Sequence, residues 1–219
     1  MRALERMMAA LSGELLEERP SMVWSSSPGH RADVVTTASV ELRHALKTHP
    51  DQLVLVEVHS PLGLAIRRDI DLVSMLQNDL EFGAAKLEEL KTEVSWAIVS
   101  ALEEGAHGVF YRLDGAHPRV CTPMQYGGHF LEIDRELLSL ATEANFNLVY
   151  IEGEGEVYFD FVADLPCHAF SWSNAHNDIN IHVAKTMTSA RIALDHEEAD
   201  IFFARSYDEI ERLLSRTKT

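Results

Sequence analysis

Cysteine is scarce, with two residues in a chain of 219. Cys121 and Cys167 are too few for a disulfide framework and form no Cys-x-x-Cys pair, so they are expected as buried free thiols with no redox role. Basic residues are also short: 19 Lys and Arg face 35 Asp and Glu, for a net charge of -16. A surface that negative repels nucleic acid and anionic lipid, and neither is expected as a partner. No apolar run approaches the roughly 20 residues of a membrane span, and Met1-Arg-Ala-Leu-Glu-Arg6 lacks the apolar stretch of a signal peptide. The expected location is the cytoplasm. Eleven histidines are present, yet none makes a His-Glu-x-x-His pair, so no metal is expected from local spacing. No Gly-x-Gly-x-x-Gly or Gly-x-x-x-x-Gly-Lys occurs, and Gly153-Glu-Gly155 is flanked by glutamates that would repel a phosphate. No nucleotide or other cofactor is expected, and the absence of Gly-x-Ser-x-Gly removes the common serine-hydrolase elbow.

What the chain has in quantity is alternation of helical and strand patterns. Leu87, Leu90, Val94, Ala97 or Ile98, and Ala101 recur at three and four residues, which predicts a helix over about Ala84 to Glu104. Gly105 stops it, because a glycine there can take the left-handed conformation that satisfies the last carbonyls. Gly108-Val-Phe-Tyr-Arg-Leu113 reads as a strand ending at Asp114. Leu53-Val-Leu-Val-Glu-Val58 is apolar on both faces, as expected of a parallel strand covered by helices. Further strands are predicted at Asn147 to Ile151, Cys167 to Trp172 and Ala190 to Leu194, with a sixth at Met22. Helices are predicted at Ala3 to Leu16, Val34 to Leu46, Asp134 to Ala144 with Asp134 as N-cap, Val157 to Ala163, Ile179 to Met187 and after Ser206. The long stretch Gly115 to Gly128 reads as a loop.

Alternation of this kind in 219 residues predicts one α/β domain, with a helical region over 1–50 and a barrel portion over 51–219. A (β/α)8 TIM barrel needs eight strands and about 250 residues, so the expected form is an incomplete barrel of five or six parallel strands. An open barrel exposes the edges at Leu53 and Ala190, which predicts a homodimer or a capping helix there. In parallel sheets chemistry collects at strand C-termini. The groups that fall there are Ser60 after His59, Asp114, Glu152, Asn174 after Ser173, Asp195 and His196, with Arg67 and Arg68 as nearby positive charge.

Five segments in order resemble one superfamily: Glu5-Arg-Met-Met-Ala-Ala-Leu-Ser-Gly13, Val58-His-Ser-Pro-Leu62, Glu104-Gly-Ala-His-Gly-Val-Phe110, Phe146-Asn-Leu-Val-Tyr-Ile-Glu-Gly153 and Ala169-Phe-Ser-Trp172. Together they are similar to the uroporphyrinogen decarboxylase superfamily, which includes cobalamin-dependent and corrinoid-protein methyltransferases. The resemblance implies a (β/α)8 barrel taking a tetrapyrrole or corrinoid-type small molecule at its C-terminal mouth. It implies a decarboxylase-like protein, a carboxy-lyase if active, in which Asp114 or Glu152 stabilises a cationic pyrrole and Arg67 or Arg68 binds the side-chain carboxylates. Ser60, Asn174, Asp195 and His196 would complete the substrate site. The alternative it implies is a corrinoid methyltransferase-like protein without the zinc site, or a non-catalytic binding relative. The sequence departs from the family at identifiable places. Only a turn separates the helix ending near Leu46 from the strand at Leu53, where the family has a strand and the pyrrole-binding aspartate. Ser-Ser-Ser-Pro-Gly-His30 and Arg31 stand in place of an arginine-rich loop. The pocket tyrosine aligns near Arg67 and the pocket serine near Asp114. Tyr150-Ile-Glu152 replaces the zinc-binding His-x-Cys of the methyltransferases, and the last strand is expected to be absent.

Overall fold

Among the described residues helices follow five of the seven parallel strands and pack against the apolar outer face of the ring they form. The protein was analysed as a computed structural model describing residues 2–14, 16–17, 20–23, 32–173, 176–196 and 200–203, with backbone alone for 23, 194–196 and 200–203. In chain order the elements are α1 (Ala3–Ser12), β1 (Ser21–Val23), β2 (Val34–Thr37), a 3-10 turn (Ser39–Glu41), α2 (Leu42–Thr48), β3 (Leu53–His59), α3 (Pro61–Arg67), α4 (Leu72–Asn78) and α5 (Leu80–Glu103). They continue with β4 (Gly108–Leu113), α6 (Pro123–His129), α7 (Leu131–Ser139), β5 (Leu148–Ile151), α8 (Phe159–Val162), β6 (Ala169–Trp172), α9 (Ile181–Met187), β7 (Arg191–His196) and β8 (Asp200–Phe203).

Strands β1 to β7 pair in parallel in sequence order. The fold is therefore of the TIM-barrel type and incomplete as a (β/α)8 unit, with seven parallel strands instead of five or six. The eighth place is taken by β8, which returns from β7 antiparallel and pairs with β1, so the ring closes. This corrects two expectations. A last strand is present, and neither β3 nor β7 has an open edge, since β3 lies between β2 and β4 and β7 between β6 and β8. The bare edge that argued for a dimer or a cap is not there. Val34–Thr37 is a strand where a helix was expected: its four β-branched residues are stiff at χ1 and fit a pleat, and the helix begins only at Leu42. The predicted helix after Ser206 lies outside the described residues.

Two apolar layers result. The outer one joins the helices to the barrel, with Leu87, Leu90, Val94, Ile98 and Ala101 of α5 buried on one stripe, as their spacing requires. Gly105, at φ +100°, ends that helix in the left-handed region. The inner layer fills the lower barrel with Met22, Val34, Leu53, Leu55, Phe110, Leu148, Tyr150, Ala169 and Ala193. Helix α1 closes the floor. Met7 is fully buried in this interior, Arg6 pairs with Asp33, and the Arg191 Nε donates to the Leu11 carbonyl at 2.8 Å. Two histidines latch the strand starts: His107 Nδ1 accepts from Val54 N–H at 3.0 Å and His168 Nδ1 from Asn147 N–H at 2.9 Å.

Asp134 departs from expectation. It is not an N-cap, because α7 begins at Leu131, and it is buried between helix and barrel. The Tyr111 hydroxyl donates to its Oδ1 at 2.6 Å and the Tyr126 hydroxyl to its Oδ2 at 2.9 Å. Burial raises its pKa to about 7, against the two tyrosine hydrogen bonds that lower it.

Candidate functional site at the barrel mouth

Above the apolar floor the inward positions change character. On β3 the inward series Leu53, Leu55 is followed by Glu57 and His59; on β4 Phe110 is followed by Arg112 and Asp114; on β5 Leu148 and Tyr150 are followed by Glu152. Alternation with period two carries each strand's inward face from the core to the mouth. Strand register then sets these groups side by side, with His59 paired to Arg112 and Arg112 to Tyr150.

The side chains form one continuous chain of charges. His59 Nδ1 lies 3.3 Å from Asp114 Oδ2 and its Nε2 3.4 Å from Glu57 Oε1. Arg112 donates from Nη1 to Glu57 Oε1 at 3.1 Å and from Nε to Glu152 Oε1 at 2.6 Å, with Nη2 also on Glu152. Its guanidinium stacks 5.9 Å from the Tyr150 ring centroid. Burial works against a charged His59, but its hydrogen bonds to Asp114 and Glu57 outweigh it and raise the ring's pKa. The hydrogen bond from His59, with Arg112 adding to it against burial, lowers Glu57. Burial raises Glu152; Arg112 pulls the other way, and the nearby Asp114 adds to the rise. The arrangement thus holds the His59 ring between Asp114 and Glu57 and the Arg112 guanidinium between Glu57 and Glu152, with Glu57 shared.

A cavity of about 450 Å3 opens over this network, lined by Asp114, His117, Arg119, Tyr150, Glu152 and Ser173 among others. Asp114 and Glu152, singled out from the sequence, therefore face the same space. Their placement is precise at Asp114: a Cβ on Gly63 would stand 2.2 Å from Asp114 Oδ2, so only glycine leaves room for the carboxylate over the first turn of α3. Ser60 is fully buried and structural, its Oγ accepting from Gly63 N–H at 3.1 Å and Asp114 N–H at 3.3 Å. Arg67 is exposed at the end of α3, next to the cavity-lining Ile66, and its charge is felt at His59 as a lowering influence. Arg68 points elsewhere and pairs with Glu93 of α5. Asp195 and His196 are the last two residues of β7, with backbone alone described, and Asn174 lies outside the described residues.

Two members of the network, Glu57 and Arg112, were not among the sequence candidates, whereas His59 was named with Ser60 at its strand end. A signal existed for both, since a lone charge inside a strand of Val, Leu, Phe and Tyr is costly unless it meets a partner. Two buried polar atoms near the mouth lack a partner among the described residues, His117 Nδ1 and Ser171 Oγ. Burial and the Arg119 charge lower His117, which keeps it neutral. Burial raises Cys121 to about 11 and pushes Cys167 up further, so neither thiol is poised as a nucleophile. Among the described residues no three His, Cys, Asp or Glu side chains are placed to hold a metal ion. No described helix is long and apolar enough to cross a membrane.

The sequence matches no protein-family model and no curated protein. Among solved structures it is similar to a methyltransferase from Methanosarcina mazei, with a TM-score of 0.65 at 12% identity, over 88% of this chain and 82% of that one. At that identity the likeness speaks for the fold. The chain is thus an incomplete TIM-type barrel with a charged C-terminal mouth, similar in fold to a methyltransferase.

Proposed function

We propose that the protein is a methyltransferase-like barrel of the type its sequence resembles, without the zinc site, which exchanges a methyl group with a small molecule held at the C-terminal mouth. The observation that carries the reading is the mouth itself, where Asp114 and Glu152 face one cavity and are backed by His59 and Arg112. The fold likeness to a methyltransferase supports it. Zinc does not fit, because the described residues offer no ligand trio and desolvation raises both thiols away from the thiolate that zinc binds. A corrinoid would supply the methyl group from outside the cavity, since about 450 Å3 suits a drug-sized molecule and not a whole macrocycle. The protein's own part is to orient the small molecule and take a proton from it. Glu152, raised by burial, is the better matched of the two carboxylates for that work.

Decarboxylation of uroporphyrinogen suits this mouth less well. Its acetate and propionate groups call for several uncommitted cations, whereas Arg112 is held by Glu57 and Glu152, Arg119 pairs with Glu154 and Arg68 pairs with Glu93 on the outer helix layer, which leaves Arg67 of the candidate arginines to meet them. The two readings separate in one pair of assays. Methyl loss from methylcobalamin, with a small thiol or a small amine as acceptor, should depend on the protein, and uroporphyrinogen should keep all its carboxylates. Stepwise carboxylate loss from uroporphyrinogen, without methyl transfer, would reverse the assignment.

A further inference from the structure

The hydrogen bonds of the mouth leave three carboxylate oxygens unused, two of them on residues that line the cavity. Arg112 and His59 engage Oε1 of Glu152, Oε1 of Glu57 and Oδ2 of Asp114. Among the described residues no donor meets Asp114 Oδ1 or Glu152 Oε2, and both residues line the cavity. Leu113 and Ile151 are register partners, so residues 114 and 152 leave adjacent strands at the same height, about 5 Å apart by sheet spacing.

An independent observation lies one layer below. Ser171 is fully buried and its Oγ has no partner among the described residues. It stands on the inward face of β6, between Ala169 of the interior core and Ser173 of the cavity lining, and beside Tyr150, which also lines the cavity. A buried hydroxyl left unbonded costs on the order of 1–3 kcal/mol, which a polar ligand atom would recover.

Charge decides what such a ligand is. Apart from Arg67, exposed at the edge, the cations at the mouth are engaged, Arg112 by Glu57 and Glu152, His59 by Asp114 and Glu57, and Arg119 by Glu154, whereas the unengaged carboxylate oxygens can only accept, so a donor-bearing cation is favoured over an anion. Tyr150, the ring in the lining that a quaternary ammonium would seek, is already faced by Arg112. The geometry points to a binding site for a small organic cation bearing N–H donors, a protonated amine or amidinium head group, bridging Asp114 Oδ1 and Glu152 Oε2 with a hydrogen-bonding group on Ser171 Oγ. The inference rests on the mouth being the ligand site of the reading above and names its ligand class.

Ligand-observed saturation-transfer NMR on the full chain at low salt tests it, with ethylamine, ethanolamine, guanidinium, tetramethylammonium and acetate as probes. Ethylamine and guanidinium should bind saturably, and tetramethylammonium and acetate at least about tenfold more weakly, the scale of one lost charge-assisted hydrogen bond. Glu152→Gln and Asp114→Asn should each weaken ethylamine about tenfold or more; Glu152→Gln carries the test if Asp114→Asn does not fold. Ethanolamine should bind more tightly than ethylamine, and Ser171→Ala should erase that difference. Acetate or tetramethylammonium binding as well as ethylamine, or amine affinity unchanged in both carboxylate variants, would overturn the site. Amine binding without methyl transfer leaves this site standing and removes the catalytic reading; methyl transfer to an uncharged acceptor without amine binding does the reverse.

Discussion

Asp134 offers the sharpest quantitative prediction, because a carboxylate buried without a cation must be more stable protonated. Its folded pKa is raised to about 7 from the ordinary 3.8 of an aspartate, chiefly by burial. A group with a raised folded pKa stabilises the fold below its unfolded pKa, and that contribution is lost as pH climbs to the folded value. At 1.36 kcal/mol per unit, the contribution is about 4 kcal/mol in full. Between pH 5 and pH 8 about 3 kcal/mol of it should disappear. Asp134→Asn keeps the shape and removes the titration, its oxygen accepting from one tyrosine hydroxyl and its amide nitrogen donating to the other. The assay is urea unfolding of both proteins across that pH range. Other groups are shifted as well, with His59 and Glu152 raised and His107, His117 and His168 lowered, so only the difference between the two proteins is diagnostic. The variant should gain on the parent as pH rises, with unchanged m-values. A difference flat from pH 5 to pH 8 would refute the reasoning and mean that water or a cation reaches the carboxylate.

Three further outcomes follow from the same geometry. Arg112→Met strips the cation from between Glu57 and Glu152, and should cost about 2 kcal/mol by chemical denaturation, less than a fully buried pair because these side chains are partly solvated. Gly63→Ala pushes on Asp114 and should cost about 1–3 kcal/mol; with its Asp114 hydrogen bond loosened, His59 should titrate at a lower pH by NMR. The latches His107 and His168 have pKa values lowered by burial, so the unfolded chain binds protons more readily below pH 6.5 and stability is lost as pH falls through that region. His168→Asn, which retains an acceptor for Asn147 N–H, should unfold at lower pH than the parent when followed by circular dichroism.

Much of the barrel was legible because its signals are local. The α5 stripe, the stop at Gly105 and the run Gly108–Leu113 each announce themselves within a few residues, and the strand-end positions of Asp114 and Glu152 follow from them. What escaped depends on distance along the chain. Arg112 meets Glu57 across 55 residues and Glu152 across 40, so no window of sequence contains the network. Asp134 has the look of an N-cap before an apolar run, and only Tyr111, brought in from 23 residues away, shows that it is buried. The closing strand β8 was invisible for a different reason: parallel β/α alternation predicts another crossover, whereas the chain turns back after His196 and pairs antiparallel. Val34–Thr37 was misread because a weak helical period was weighed above four β-branched residues.

Methyl exchange between the charged mouth and its small-molecule ligand is tested most directly by single-turnover kinetics of methylcobalamin with a small thiol or amine acceptor, Glu152→Gln beside the parent. Protein-dependent methyl loss is expected in the parent and loss of that rate in the variant, with the thermal transition of the variant retained. Methyl loss no faster than without protein, or equally fast in both proteins, would contradict it.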